Sequence, residues 1–187
     1  YFQKVHGAEI VMTTEDWGIA RAEPELPQFY MPKPAVDIVA KDADTITLGD
    51  NTFELFNTPG HTTGVLSIRY KVREGDKEYT AMTLGGVGLN FSGVERTQTY
   101  IQSYERLQSI QAGTSVSLPN HQAMGNVFAR RDLLAARQPG AINPFVNADS
   151  YKQDLAKFVA GAKIKLEKEK AGTAPSSLDA LVNATTD

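Results

Sequence analysis

The sequence contains no cysteine and only three histidines, His6, His61 and His121, among its 187 residues. The absence of cysteine excludes disulfide bonds, thiolate zinc sites and cysteine nucleophiles in this chain. It does not determine the cellular compartment, because many secreted proteins also lack cysteine. The three histidines leave few nitrogen ligands for any metal site that this chain builds.

An excess of basic residues and a long apolar run are also missing. Lysine and arginine number 19 against 22 acidic residues, which gives a net charge of -3. Nucleic-acid binding requires a basic patch, so we predict no nucleic-acid partner. No apolar run approaches the ~18 residues of a membrane-spanning helix, so we predict no membrane partner either.

The chain is long enough for one domain with a proper core, which we place at residues 1–172. Residues 173–187 are mostly small and polar, and we predict a flexible tail there.

The most informative stretch is a turn motif between two predicted strands. The motif reads Thr58-Pro59-Gly60-His61-Thr62-Thr63-Gly64. Apolar and polar side chains alternate over residues 65–72, and a strand is also predicted at 53–56. The Pro-Gly pair breaks the strand and forces a tight turn. His61 is therefore presented at a strand edge, where a metal ion or a substrate can reach it. A lone loop histidine is more often simply solvated, so its role depends on the rest of the chain.

The remaining pattern alternates short strands with amphipathic helices. The predicted elements are the end of a helix at 1–6 that stops at Gly7, a strand at 8–13, a strand hairpin over 36–58, strands at 79–84 and 115–118, and helices at 97–110 and 130–137. Ser150 and Gln153 form a capping-box pattern, which predicts the start of a long helix that ends near Gly172. This order of elements predicts an α/β fold.

Two further loops follow strand ends. Residues 85–91 are glycine-rich and come directly after the strand at 79–84. No Lys-Ser/Thr pair follows them, so they do not form a phosphate-binding P-loop. Such glycines indicate that the backbone comes close to a ligand or to another loop. Asn120 and His121 follow the strand at 115–118. Loops at one sheet edge converge in layered folds, so His61 and His121 are candidate zinc ligands. A catalytic zinc normally takes three protein ligands.

In this order, the His61 motif, the glycine-rich loop and Asn120-His121 resemble the corresponding parts of metallo-β-lactamase-fold hydrolases. The resemblance covers most of the chain and implies an αββα four-layer sandwich. The signature His-x-His-x-Asp-His of that family is absent, and it normally precedes a helix like the one at residues 1–6. The resemblance therefore implies the C-terminal two-thirds of such a domain. No Asp or Cys stands at residues 85–88, which is similar to the subclass with an Asp-His-His second zinc site. It differs from the glyoxalase-II and lactonase branches, which keep a bridging Asp.

This resemblance implies a zinc-dependent hydrolase with two zinc ions in the complete protein. His61 would complete a three-histidine zinc site, and His121 would join an upstream Asp-His pair at the second site. The implied nucleophile is a metal-activated hydroxide that opens a β-lactam or a similar amide of a small-molecule substrate. No catalytic residue is identified in this chain, because the catalytic Asp is expected upstream. Asn90, Asn120 and Gln122 are candidate substrate-binding residues.

Two other functions are compatible with the same residues. One is a lactonase, thioesterase or other ester hydrolase on this fold, and the other is a catalytically silent binding domain or fragment. The fold alone does not choose between them, because one fold hosts many reactions. The compartment follows from the function, being periplasmic or secreted for a true β-lactamase and otherwise cytoplasmic. The oligomeric state is left open.

Overall fold

The structure is a computed structural model that describes residues 1–22, 33–121 and 125–172. Helices and strands alternate along these residues. They are α1 (Phe2–His6), β1 (Val11–Met12), α2 (Thr14–Ala22), β2 (Ile38–Val39), β3 (Thr45–Leu48), β4 (Asn51–Asn57), β5 (Leu66–Glu74), β6 (Lys77–Thr83), α3 (Val94–Ser109), β7 (Thr114–Ser117), α4 (Val127–Ala135) and α5 (Ala148–Lys170). The predicted α/β pattern is therefore present. The predicted tail at 173–187 lies outside the described residues.

The main sheet has five strands in the order β3-β4-β5-β6-β7. Strands β3 to β6 are joined antiparallel, whereas β7 runs parallel to β6. Because β4 and β6 both run opposite to β5, the C-terminal ends of β4, β6 and β7 lie at the same edge of the sheet. That edge, here called the loop edge, carries the loops that begin at residues 58, 84 and 118. A separate parallel pair joins β1 to β2.

Helices α3 and α5 pack together and share the main hydrophobic core with the sheet. Tyr100, Tyr104 and Leu107 on α3 are spaced so that they fall on one side of the helix, and all three are fully buried. The rings of Tyr100 and Tyr104 stack with their centroids 4.3 Å apart. Helix α5 contributes a matching stripe to this core, made of Tyr151, Leu155, Val159, Ala162 and Leu166. The core therefore holds α3 in a fixed position along the sheet.

The long helix begins earlier than the capping-box pattern predicts. It starts at Ala148 and is capped by Asn147, whose side-chain oxygen accepts a hydrogen bond of 2.9 Å from the Ser150 N–H. The Asn147 N–H in turn donates to the Ser115 carbonyl at 2.7 Å. This backbone tie, which joins residues far apart in sequence, selects Asn147 over Ser150 as the cap. Within the described ranges, no helix is long and apolar enough to cross a membrane.

Candidate metal centre

The His61 turn is a tight loop between β4 and β5. The Thr58 N–H donates to the Val65 carbonyl at 2.8 Å, and the Gly60 N–H donates to the Thr62 carbonyl at 2.8 Å. Gly60 has a φ of 141°, and a Cβ atom built on it would lie 2.5 Å from the Cβ of Tyr100. The turn therefore presses its backbone against helix α3, which only glycine permits at this position.

The imidazole of His61 is held in a defined tautomer. Its Nδ1 atom lies 2.9 Å from the Gly88 carbonyl oxygen, in a partly buried setting. A carbonyl oxygen only accepts hydrogen bonds, so Nδ1 carries a hydrogen, and in the neutral ring the lone pair is therefore on Nε2. Metal-binding histidines commonly donate from one ring nitrogen to a carbonyl while the other nitrogen binds the metal. His61 therefore fits the role of a zinc ligand through Nε2.

The glycine-rich loop supplies the carbonyl that fixes His61. Gly86 has a φ of 57°, and a Cβ atom at this residue would lie 2.6 Å from the Cβ of His61. A Cβ on Gly88 would lie 2.9 Å from the side-chain oxygen of Asn90, so this exposed amide stands beside the same loop segment. The predicted close approach of the loop backbone is confirmed, and its neighbour is the His61 turn.

Two buried tyrosines anchor the glycine-rich loop to α3. The Tyr100 hydroxyl donates to the Val87 carbonyl at 2.9 Å, and the Tyr104 hydroxyl donates to the Gly85 carbonyl at 3.0 Å. Burial raises the pKa of Tyr100 to about 12. Burial, reinforced by the neighbouring Tyr100, raises the pKa of Tyr104 still further above its ordinary value. Both hydroxyls therefore stay protonated and keep donating to the loop carbonyls.

An alkaline titration is expected to separate these tyrosines from the others. Burial also raises the pKa of Tyr151. The pKa values of these three tyrosines are higher in the folded protein than in the unfolded chain. Their protonated hydroxyls therefore contribute fully to stability below about pH 10, and this contribution is lost as the pH rises above that value. Phenolate absorbance at 295 nm, followed together with circular dichroism, should show these three of the seven tyrosines ionising only as the protein unfolds. Tyr104→Phe serves as the control and should remove one late-ionising group. Ionisation of all tyrosines while the native dichroism persists would contradict this assignment.

His121 follows β7 at the loop edge, where it is exposed together with Asn120. The Leu118 N–H donates to the Met82 carbonyl at 3.0 Å, so the pairing of β7 with β6 continues up to this loop. His61 and His121 therefore leave the sheet at the same edge. Gln122 lies outside the described residues. Within the described part of the chain, no group of three or more His, Asp or Glu side chains is placed to hold a metal ion. The assignment of both histidines as ligands thus stays a prediction.

Two charged residues contact the His61 turn and were not singled out by the sequence patterns. Arg96 on α3 donates from Nε to the Gly60 carbonyl at 2.7 Å, and its terminal nitrogen Nη2 donates to the His61 carbonyl. Asp16 on α2 accepts hydrogen bonds from the Thr62 hydroxyl and the Gly64 N–H. A cation in the first turn of a helix opposes the helix dipole, so Arg96 carried a weak signal. Asp16 carried none, because an acid in a first turn is ordinary.

Comparison with known proteins identifies the fold. No protein-family model matches the chain, and no curated protein sequence matches it significantly. Solved structures do match over about nine-tenths of the chain, and they are metallo-β-lactamases. The chain therefore has the metallo-β-lactamase fold, which is a metallo-hydrolase fold, and the predicted fold class is confirmed.

The matching structures include subclass B3 enzymes. BJP-1 of Bradyrhizobium japonicum, a subclass B3 metallo-β-lactamase, gives a TM-score of 0.76 at 21% identity, covering 91% of this chain and 67% of its own. The native FEZ-1 metallo-β-lactamase from Legionella gormanii gives a TM-score of 0.77 at 22% identity, covering 90% of this chain and 68% of its own. The metallo-β-lactamase SMB-1, solved in a complex with mercaptoacetic acid, gives a TM-score of 0.73 at 17% identity, covering 89% of this chain and 68% of its own. The chain spans about two thirds of the length of each.

Proposed function

We propose that the natural protein carrying this chain is a zinc-dependent hydrolase that opens a β-lactam or a similar amide. The observation that carries the proposal is the hydrogen bond between His61 Nδ1 and the Gly88 carbonyl, 2.9 Å long, which leaves Nε2 free to bind a metal. The position of His121 at the same sheet edge supports the proposal. The similarity of the fold to metallo-β-lactamases supports it further.

His61 and His121 would hold zinc together with ligands from outside the described residues. When bound, zinc supplies Lewis acidity and activates water as a nucleophile near neutral pH. The chain itself contributes the Gly88 carbonyl, which keeps the His61 ring in the ligand tautomer. Asn90, Asn120 and Gln122 are proposed to orient a small-molecule substrate, since their amide groups can donate to its carbonyl or carboxylate oxygens. We propose no nucleic-acid or membrane partner, and a periplasmic or secreted location for a protein with this activity.

The experiment measures metal content and substrate preference in the natural protein. After dialysis against metal-free buffer, we expect close to two zinc ions per chain, and hydrolysis that is lost with a chelator and restored by zinc. A panel of β-lactams is run beside a panel of lactones and thioesters, and we expect the β-lactams to have the higher kcat/KM. Faster lactone or thioester hydrolysis would replace the proposed substrate class. A protein that binds no zinc would overturn the hydrolase assignment in favour of a silent binding domain.

A further inference from the structure

Two consecutive backbone carbonyls of the His61 turn accept hydrogen bonds from one cation, Arg96. Arg96 donates to the Gly60 carbonyl at 2.7 Å and also to the His61 carbonyl, so its planar guanidinium spans two consecutive peptide groups. The same guanidinium lies over the Phe91 ring, 4.9 Å from the ring centroid. Phe91 in turn lies edge-on to the His61 ring, with the centroids 6.2 Å apart. Arg96 therefore contacts both the backbone of His61 and the aromatic ring beside its imidazole.

Two donors of the same turn bind one anion, Asp16. The two oxygens of Asp16 accept from the Thr62 hydroxyl at 2.9 Å and from the Gly64 N–H at 3.0 Å. The turn and α2 are in close contact here, since a Cβ on Gly64 would lie 2.8 Å from the Asp16 carboxyl carbon. Thr13, just before α2, adds a hydrogen bond of 3.0 Å from its hydroxyl to the Gly64 carbonyl.

We propose that Asp16 on α2 and Arg96 on α3 are positioning residues that fix the two ends of the His61 turn and thereby set the metal affinity of the site. This inference rests on the proposed function of His61 as a zinc ligand. The Asp16 carboxylate accepts from Thr62 and Gly64, which follow His61. The Arg96 guanidinium donates to the carbonyls of Gly60 and His61. Rotation of the turn would therefore break charge-assisted hydrogen bonds to one of these two residues. The orientation of the imidazole is then set by the fixed position of the His61 backbone as well as by the hydrogen bond to the Gly88 carbonyl.

The expected effect is a loss of metal affinity rather than a general loss of fold. Outer groups that orient a metal ligand typically contribute 10–100-fold to metal affinity. Asp16→Asn keeps the shape of the side chain but replaces one of the two acceptor oxygens with an NH2 group, so one of the two hydrogen bonds from the turn loses its acceptor and the negative charge is removed. Arg96→Gln removes the fork that reaches two carbonyls. We expect each variant to bind zinc about tenfold or more weakly than the natural protein. Arg96→Lys should lie between, because an ammonium retains the charge but not the planar fork.

Arg106 on α3 and its partner Asp42, which lies between β2 and β3, serve as the control. Arg106 on α3 forms an ion pair of 2.8 Å with Asp42 and donates to the Asn57 carbonyl at 3.1 Å. The carboxylate of Asp42 also accepts the Asn57 N–H at 2.8 Å. Like Arg96 and Asp16, Arg106 and Asp42 bind backbone groups through a guanidinium and a carboxylate, but they contact the end of β4 rather than residues 60–64 and also pair with each other. Asp42→Asn and Arg106→Gln should therefore lower stability while zinc affinity stays within about threefold of the natural protein, an affinity difference below 1 kcal/mol.

The test measures zinc affinity and turn protection in the natural protein and in these variants. Zinc affinity is obtained by competition with a chromophoric chelator, stability by urea unfolding, and turn protection by hydrogen exchange of the Gly60 amide, which donates to Thr62 within the turn. The proposal predicts weaker zinc binding and faster Gly60 exchange for Asp16→Asn and Arg96→Gln but not for the control pair.

Three outcomes would overturn the proposal. One is unchanged zinc affinity in both variants, which assigns Asp16 and Arg96 a purely structural role. A second is an equal loss of affinity in the control pair, which makes the effect a general one. The third is unchanged Gly60 exchange, which removes the positioning step whether or not zinc binds. Failure of the natural protein itself to bind zinc is a separate result that overturns the proposed function.

Discussion

Replacing His61 with alanine is expected to lower both zinc affinity and hydrolysis in the natural protein by more than about 100-fold. The estimate follows from the 10–100-fold effect of merely removing a group that orients a ligand, since here the proposed ligand itself is lost. The variant should remain folded, because the hydrogen bond from His61 to Gly88 contributes only about 1 kcal/mol to stability. Zinc content by elemental analysis, kcat/KM for the preferred substrate and urea unfolding are measured together.

His6→Ala is the matched control for this prediction. His6 lies in the exposed helix α1, where its ring contacts the rings of Tyr1 and Phe2. Both of these ring contacts are within residues 1–6, so neither involves the His61 turn or the glycine-rich loop. We expect full zinc binding and full activity from this variant. If His61→Ala hydrolyses the substrate as well as His6→Ala does, His61 is not part of the metal centre.

Gly60→Ala is expected to destabilise the protein by about 3 kcal/mol or more. Two costs add at this residue: a φ of 141° that L side chains rarely adopt, and a Cβ placed 2.6 Å from the Tyr100 Cα atom. Backbone strain of this kind costs about 1–3 kcal/mol, and overpacking a core costs about as much again. Tyr100 cannot move aside, because it is fully buried and its hydroxyl holds the Val87 carbonyl. The free energy of unfolding in urea measures the effect.

Gly18→Ala provides the opposite expectation with the same chemical change. Gly18 lies within α2 at an exposed position, and a Cβ there would meet no atom within 4 Å. Alanine is preferred over glycine inside a helix by about 0.8–1.0 kcal/mol, so this variant should be slightly more stable. A similar stability for the two alanine variants would show that the His61 turn is not packed against α3 as described.

Sequence patterns were sufficient for elements whose signal is local. The alternation over residues 65–72 predicted the strand that is now β5 (Leu66–Glu74). The amphipathic patterns at 97–110 and after Ser150 predicted the helices that are now α3 and α5, each of which buries one side, with Tyr104 and Leu155 among the fully buried residues. The glycines of residues 85–91 predicted a close backbone approach. Each of these features is set by side-chain period or by the conformational freedom of glycine, which neighbouring residues alone determine.

Boundaries and supports depended on residues far away in the chain. The capping-box pattern predicts a cap at Ser150, but α5 is capped by Asn147, whose N–H is bound to the distant Ser115 carbonyl. Asp16 and Arg96 reach the His61 turn across long stretches of sequence. No local period or spacing reports such contacts, because they exist only once α2, α3 and the sheet have packed together.

The sequence by itself determined that this protein displays His61 in a tight Pro-Gly turn after a strand, with a glycine-rich loop and Asn120-His121 following later strands. Those features follow from turn chemistry and strand alternation. Only the tertiary structure decided that β4, β6 and β7 end at one edge of the sheet, because strand order and direction are set by pairing between distant segments. It also decided which nitrogen of His61 is free, because the carbonyl that fixes the ring belongs to Gly88, on another loop.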